Sequence, residues 1–254
     1  MNNSLLQTWL EEERIAHIRG WDFSHLDGRM EEEQTPWCLR EEIRSRLTPE
    51  MQLLDMDTGG GEFLRSLGHP PRQTAATEGY PPNIALCAAQ LIPAGIDFRA
   101  AESGGALPFA DASFDVVTNR HGSYDAREVF RVLKPGGYFI TQQVGAENDR
   151  ELVGLLLPGT PVPFSRQYAK LLASELSEAG FTVECAREAY PQLRFFDTGA
   201  VVWFARIITW EFSSFSVRQC MKQLQAAQQL LEVQGCLQTR THRILLIARK
   251  GNPM

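Results

Sequence analysis

Apolar positions along this chain follow two rhythms, and the rhythms alternate. Between residues 4 and 18, Leu6, Trp9 and Leu10 fall on one helical side, with Glu11, Glu12 and Glu13 outside. Leu39, Ile43 and Leu47 recur at four-residue spacing and predict a second helix. A short apolar run then ends at Asp55, and a helix from Glu62 to about Leu67 is stopped by His69-Pro70-Pro71, since proline cannot continue a helix. Residues 73–77 read as a strand closing at Glu78, and Pro81-Pro82-Asn83 opens a helix to about Leu91. Strands follow at 95–99 and 114–119. Asp125 and Glu128 form a capping-box pattern for the next helix, which ends before the turn Lys134-Pro135-Gly136-Gly137. Residues 138–144 are a fifth strand. A helix over 165–179 carries Tyr168, Leu172 and Leu176 and ends at Gly180. A strand at 181–185, an apolar stretch at 195–212, a helix signalled by Ser216 and Gln219, and a final strand at 243–248 complete the chain.

Strands alternating with helices predict an α/β fold: a Rossmann-like, mostly parallel seven-stranded sheet with helices on both faces. To this are added an N-terminal helical extension and an insertion before the last strand. Ligands in such sheets bind beyond the carboxyl ends of the strands. Asp55, Glu78, Ala101-Glu102 and Asn119-Arg120-His121 all fall at or just past predicted strand ends. Four polar sites therefore converge on one edge.

Composition narrows the function. The 254 residues suffice for one α/β domain with an appendage, and 43% hydrophobic content supports a packed core. A net charge of -6 supplies no basic field for nucleic acid. Five separated cysteines without a C-x-x-C pair predict neither a disulfide framework nor a zinc site, and no metal is expected. The first residues show no signal-peptide pattern, and Asp197, Arg206 and Glu211 interrupt the 195–212 stretch, so neither export nor a membrane span is expected. The expected location is cytoplasmic.

The segment Leu53-Leu54-Asp55-Met56-Asp57-Thr58-Gly59-Gly60-Gly61-Glu62 joins a strand to a helix through a glycine cluster. Glycine lets backbone N–H groups approach a ligand closely and accepts left-handed backbone. Asp57-Thr58-Gly59-Gly60-Gly61 does not give the G-x-G-x-x-G of nicotinamide dehydrogenases.

With Glu78, Leu107-Pro108-Phe109-Ala110-Asp111-Ala112-Ser113-Phe114-Asp115, and Glu128-Val129-Phe130-Arg131-Val132-Leu133-Lys134-Pro135-Gly136-Gly137, this segment resembles a class I S-adenosylmethionine (SAM)-dependent methyltransferase of the type 11-like, small-molecule group. The resemblance covers roughly residues 50–185 and the final strand. It implies SAM as cofactor and a methyl transfer by in-line displacement. Asp55, Asp57, Thr58, Gly59 and Gly61 would hold the methionine end, with the Asp55 charge favouring the ammonium. Glu78 and Gly79 would meet the ribose, with the carboxylate accepting two hydrogen bonds, and Glu102 and Ser103 would meet the adenine. Asn119 and Arg120 would complete the cofactor site. Asp57 departs from the pattern, because the family places the first glycine of G-x-G-x-G there. Aspartate tolerates left-handed backbone better than most residues, so the turn is expected to survive, and Asp57 could pair with the cofactor's positive groups.

His121 is the candidate general base and Tyr124 an orienting group, both placed by the resemblance near the transferred methyl. Residues 1–48 read as an N-terminal extension or lid, in which Trp21, Asp22, Phe23 and Trp37 could wall the site. Residues 49–254 read as the methyltransferase domain, with 195–235 an acceptor-side insertion. The aromatic content of that insertion suggests an apolar or aromatic small-molecule acceptor. An RNA-modifying enzyme and a non-catalytic SAM-fold module are the alternatives.

Overall fold

The computed structural model describes residues 3–18, 20 and 22–251. Its element order is α1 (Asn3–Ile15), β1 (Met30–Glu32), α2 (Leu39–Arg44), β2 (Leu53–Met56), α3 (Glu62–Ser66), β3 (Thr74–Glu78), α4 (Pro81–Gln90), β4 (Asp97–Ala100), β5 (Phe114–Arg120) and α5 (Ala126–Val132). It continues with β6 (Leu133–Val144), α6 (Arg150–Leu156), α7 (Ala169–Glu178), β7 (Phe181–Ala189), β8 (Gln192–Phe195), α8 (Thr198–Ile207), α9 (Met221–Gln234), β9 (Leu237–Arg240) and β10 (Arg243–Lys250).

Seven strands form one sheet in the order β4-β3-β2-β5-β6-β10-β7, and β10 runs antiparallel to both its neighbours. The order reverses direction at β2, whose four residues are all buried because helices cover both faces. On one face Leu54, Val117, Phe139 and Leu246 pack against Val129 and Leu172 of α5 and α7. On the other, Leu53, Val116 and Ile247 pack against Ile43, Leu64 and Cys87 of α2, α3 and α4. The seven strands lie where the sequence predicts them. Two boundaries differ: β7 runs on to Ala189, and β6 begins at Leu133 and runs through Lys134-Pro135-Gly136-Gly137, with a register shift against β5 between Phe114 and Val116. Gly136, at φ +80°, takes up that irregularity inside a strand rather than in a free turn.

Two capping-box expectations are corrected in part. Asp125 does cap α5, accepting from the Arg127 N–H, but Glu128 turns away to Arg131 and the Leu107 N–H. Ser216 accepts from the Gln219 N–H five residues before regular helix α9 begins, so its turn precedes the helix.

The extension and the insertion are not separate parts. β1, β8 and β9 form a three-stranded antiparallel sheet, which the sequence pattern did not predict. Trp9, Leu26, Phe195, Val201, Trp203, Phe212, Leu224 and Leu152 share a third core drawn from α1, α6, β8, α8 and α9. Arg29 fastens this cap, donating twice to Asp197 at 2.8 and 2.7 Å and pairing with Glu12 at 2.8 Å. Trp37, Leu39 and Ile43, by contrast, pack on the seven-stranded sheet.

Candidate functional site

The glycine turn is held from beneath. Asp55 is 3% exposed, and its two oxygens accept from the hydroxyls of Thr58 and Thr118, each at 2.7 Å. Burial pushes this carboxyl up, against the opposing pull of both hydroxyls and of Arg120. Asp55 thus braces the turn against β5 from inside the fold. Its charge acts on a ligand through the field, since the side chain is covered.

Asp57 adopts φ +53°, with Gly59 at +66° and Gly61 at +81°. All three are left-handed, so the turn takes the shape that the glycine pattern calls for, and Asp57 adopts it despite its Cβ. Its Oδ2 accepts from the Ser103 hydroxyl at 2.5 Å. A Cβ at residue 122 would lie 2.3 Å from that same oxygen, so Gly122 is what lets the carboxyl fit. Burial, with Glu78 and Asp55 adding to it, pushes Asp57 up to about 6.

Glu78 ends β3 and is buried. Its Oε1 accepts from the Gly79 and Tyr80 N–H groups, both at 2.9 Å, and its Oε2 from the Gly59 N–H at 2.8 Å. A carboxylate offers about four acceptor positions. Three are filled by backbone, and Oε2 retains room for one hydroxyl, where the sequence reading had two. Next to it, a cleft of about 560 Å³ opens between Gly79, Tyr80, Pro81 and Ile84 on one side and Ala100, Ala101, Glu102 and Ser103 on the other. A Cβ on Gly79 would sit 2.8 Å from the Ala101 carbonyl oxygen, so glycine is what allows these loops to approach.

Beyond β5 the predicted residues part company. Asn119 is buried and committed internally: its Oδ1 accepts from Gln143 at 2.6 Å, and its amide reaches the Met56 carbonyl at 3.3 Å. Arg120 lies with its guanidinium 4.7 Å from the centre of the Phe63 ring, under the charges of Asp55 and Glu62. Burial lowers its pKa.

His121, at φ +62°, is exposed to solvent on this edge, although protein crowds around it. Surrounding protein, Arg243 and Arg120 hold its pKa well below 6.5. The Trp37 indole N–H, a donor only, gives to Gln142 Oε1 at 2.9 Å, which turns the Gln142 amide nitrogen toward His121 Nε2 at 3.3 Å. That nitrogen must then accept, and the ring proton resides on Nδ1. Tyr124 turns the other way. Its ring packs 4.9 Å from Phe139 in the core, and its hydroxyl is buried without a hydrogen-bond partner among the described residues. The expectation that Tyr124 orients an acceptor is therefore corrected: the chain turns inward at α5, and the ring follows it into the core.

The N-terminal segment reaches this edge. A Cβ on Gly20 would lie 3.6 Å from Glu62 and 3.8 Å from Gly60. Trp21 lies outside the described residues. Most rings of the aromatic insertion, Phe195, Trp203, Phe204 and Phe212, are buried in the cap core and so do not line an acceptor site, while Phe196 and Trp210 are exposed. Sequence reasoning missed Gln142 and Gln143, although two adjacent glutamines in a central strand are a signal, since buried amides require partners. Among the described residues no group of three His, Cys, Asp or Glu could hold a metal ion, and no helix is long and apolar enough to cross a membrane.

With this geometry in view, the comparison with known proteins is direct. The methyltransferase domain family model matches residues 54–141, about a third of the chain, a span from β2 into β6 that includes the loops following β2, β3, β4 and β5. The chain is 33% identical over 111 residues to the phthiotriol/phenolphthiotriol dimycocerosates methyltransferase of Mycobacterium tuberculosis, covering 41% of this chain and 40% of that protein. It is 31% identical over 99 residues to the demethylmenaquinone methyltransferase of Thermus thermophilus, covering 35% and 45%. The chain thus matches less than half the length of these relatives. Among solved structures, YcgJ of Bacillus subtilis superposes with a TM-score of 0.59 at 18% identity, over 85% of this chain and 98% of that one. The [4+2]-cyclase SpnF does so at 0.52 and 19%, over 98% and 93%. These likenesses concern the fold.

Proposed function

We propose that this chain binds SAM across the carboxyl edge of β3, β2 and β5 and passes its methyl group to a small-molecule acceptor by in-line displacement. The observation that carries the reading is the junction at Glu78. One buried carboxylate fixes the glycine turn through Gly59 and the next loop through Gly79 and Tyr80, and keeps one acceptor position beside the cleft.

The residues suit the cofactor. Glu78 Oε2 would take a ribose hydroxyl, and the cleft between Tyr80, Ile84 and Ala101–Ser103 would take the base. Arg120 would face the cofactor's carboxylate. When bound, SAM supplies an electrophilic methyl on a cationic sulfur. The protein's part is to orient the acceptor and exclude water. With Nε2 engaged by Gln142 and its pKa held low, His121 is suited to donate from Nδ1–H to the acceptor rather than to take its proton. The acceptor then arrives already nucleophilic or loses its proton to water.

Titration calorimetry with SAM and its demethylated product, S-adenosylhomocysteine, is the test, followed by a metabolite screen with methyl-labelled SAM. Both ligands are expected to bind, and Glu78→Ala to weaken them about tenfold or more, as loss of a hydrogen bond to a charged group implies. No binding by the folded wild-type chain would overturn the proposal. Because SpnF shares the fold and is a cyclase, label transfer as well as binding is required.

A further inference from the structure

Asp57 is the feature that the fold tolerates but does not need. A glycine would form the same left-handed turn without a Cβ, and the carboxyl is accommodated only because residue 122 is also glycine. The side chain stands between the two ends of the site. Ser103, on the cleft side, donates to it at 2.5 Å, and the same hydroxyl accepts from the Ser123 N–H at 3.2 Å in the loop that follows His121. Three loops therefore meet at this half-buried carboxyl. Its surroundings are acidic: Asp55 on β2, Glu78 on β3, Glu62 on α3, and Glu102 beside Ser103, with Arg120 the cation and His121 neutral.

Resting on the reading of the site as a SAM site, we propose that Asp57 makes it discriminate by charge, holding the sulfonium cofactor in preference to the neutral thioether left after transfer. The two ligands share the nucleoside and the amino-acid ends. They differ by one methyl and one positive charge on sulfur. A carboxylate between the two ends, in surroundings where water is partly excluded, acts on that difference more strongly than an exposed charge would. Product would then leave readily, because the attraction vanishes with the charge it was made to. Asp57 is a positioning and specificity residue in this account and takes no part in the chemical step.

The test is binding. The dissociation constants of SAM and S-adenosylhomocysteine are measured by calorimetry at pH 5 and pH 7.5 for the wild type, Asp57→Asn and Ser103→Ala. In the wild type, SAM affinity is expected to rise several-fold between the two pH values as Asp57 loses its proton, while affinity for the product stays level. Asp57→Asn keeps the size and tolerates left-handed backbone. It is expected to weaken SAM roughly five- to tenfold, leave the product within twofold, and abolish the pH dependence. Ser103→Ala removes the hydroxyl and keeps the charge, so the preference for SAM should persist.

Equal losses for both ligands in Asp57→Asn, or an unchanged ratio, would overturn the proposal and leave the SAM site standing. If the wild type binds neither ligand, it is the underlying reading that fails. Circular dichroism of each variant separates these outcomes from misfolding, and should Asp57→Asn not fold, Asp57→Gly, which forms the same left-handed turn without the carboxyl, takes its place.

Discussion

At the scale of single residues, the candidate site is built from side chains whose hydrogen bonds are already committed. Asp55 and Asn119 are filled by internal partners, and Glu78 has one position left. What each can offer a ligand is set by those bonds as much as by residue type. His121 shows this most clearly, because Trp37 decides its tautomer through Gln142. A histidine with its folded pKa below 6.5 is less protonated than in the unfolded chain, so its contribution to stability falls as pH drops through 6.5. Long-range nitrogen–proton NMR should show His121 as the Nδ1–H tautomer, unprotonated from pH 8 down to 6. A midpoint near 6.5 would contradict the geometry and restore the base.

At the scale of elements, α6 starts at an awkward place. Its N-cap Asp149 is left-handed at φ +55°, buried, and has one carboxylate oxygen without a partner among the described residues. Burial pushes it up to about 7, with Glu211 and Glu32 adding to that and Arg243 opposing. A carboxyl whose folded pKa exceeds its unfolded value favours folding at low pH, and that contribution is lost as pH rises from about 4 to 7. Asparagine accepts left-handed backbone and carries no charge to bury. Asp149→Asn should therefore raise stability at pH 8 by on the order of 2 kcal/mol and flatten its pH dependence between 4 and 7, a few degrees in Tm. Urea melts at pH 4.5 and pH 8 check this. A destabilised variant at pH 8 would show that the charge is needed by Arg243.

At the scale of the whole molecule, a sheet with its own two cores carries a cap with a third. Trp9 of α1 is fully buried in the cap, and its Nε1–H donates to Thr198 of α8 at 2.8 Å, which joins the extension to the insertion. Truncating a buried tryptophan costs about 3–5 kcal/mol. In Trp9→Ala, hydrogen exchange should accelerate across α1, α8 and α9 while β2, β5 and β6 keep their protection. Loss spread evenly over both parts would mean that cap and sheet unfold as one unit.

The sequence by itself determined the seven-stranded sheet, its helices and the edge on which the polar residues gather. Periodicity, glycines and prolines are local signals, and β2, β3, β5 and their glycine turn are written in consecutive residues. It also marked Asp57 as the odd residue of that turn. Only the tertiary structure decided that Asp57 is left-handed and meets Ser103 and Gly122, 46 residues along the chain and more. It alone decided that Tyr124 faces the core, and that α1 and β1 join β8, α8, α9 and β9 in one cap. Those outcomes depend on partners brought together by folding, whose mutual hydrogen bonds and shared burial leave no periodic trace in either segment.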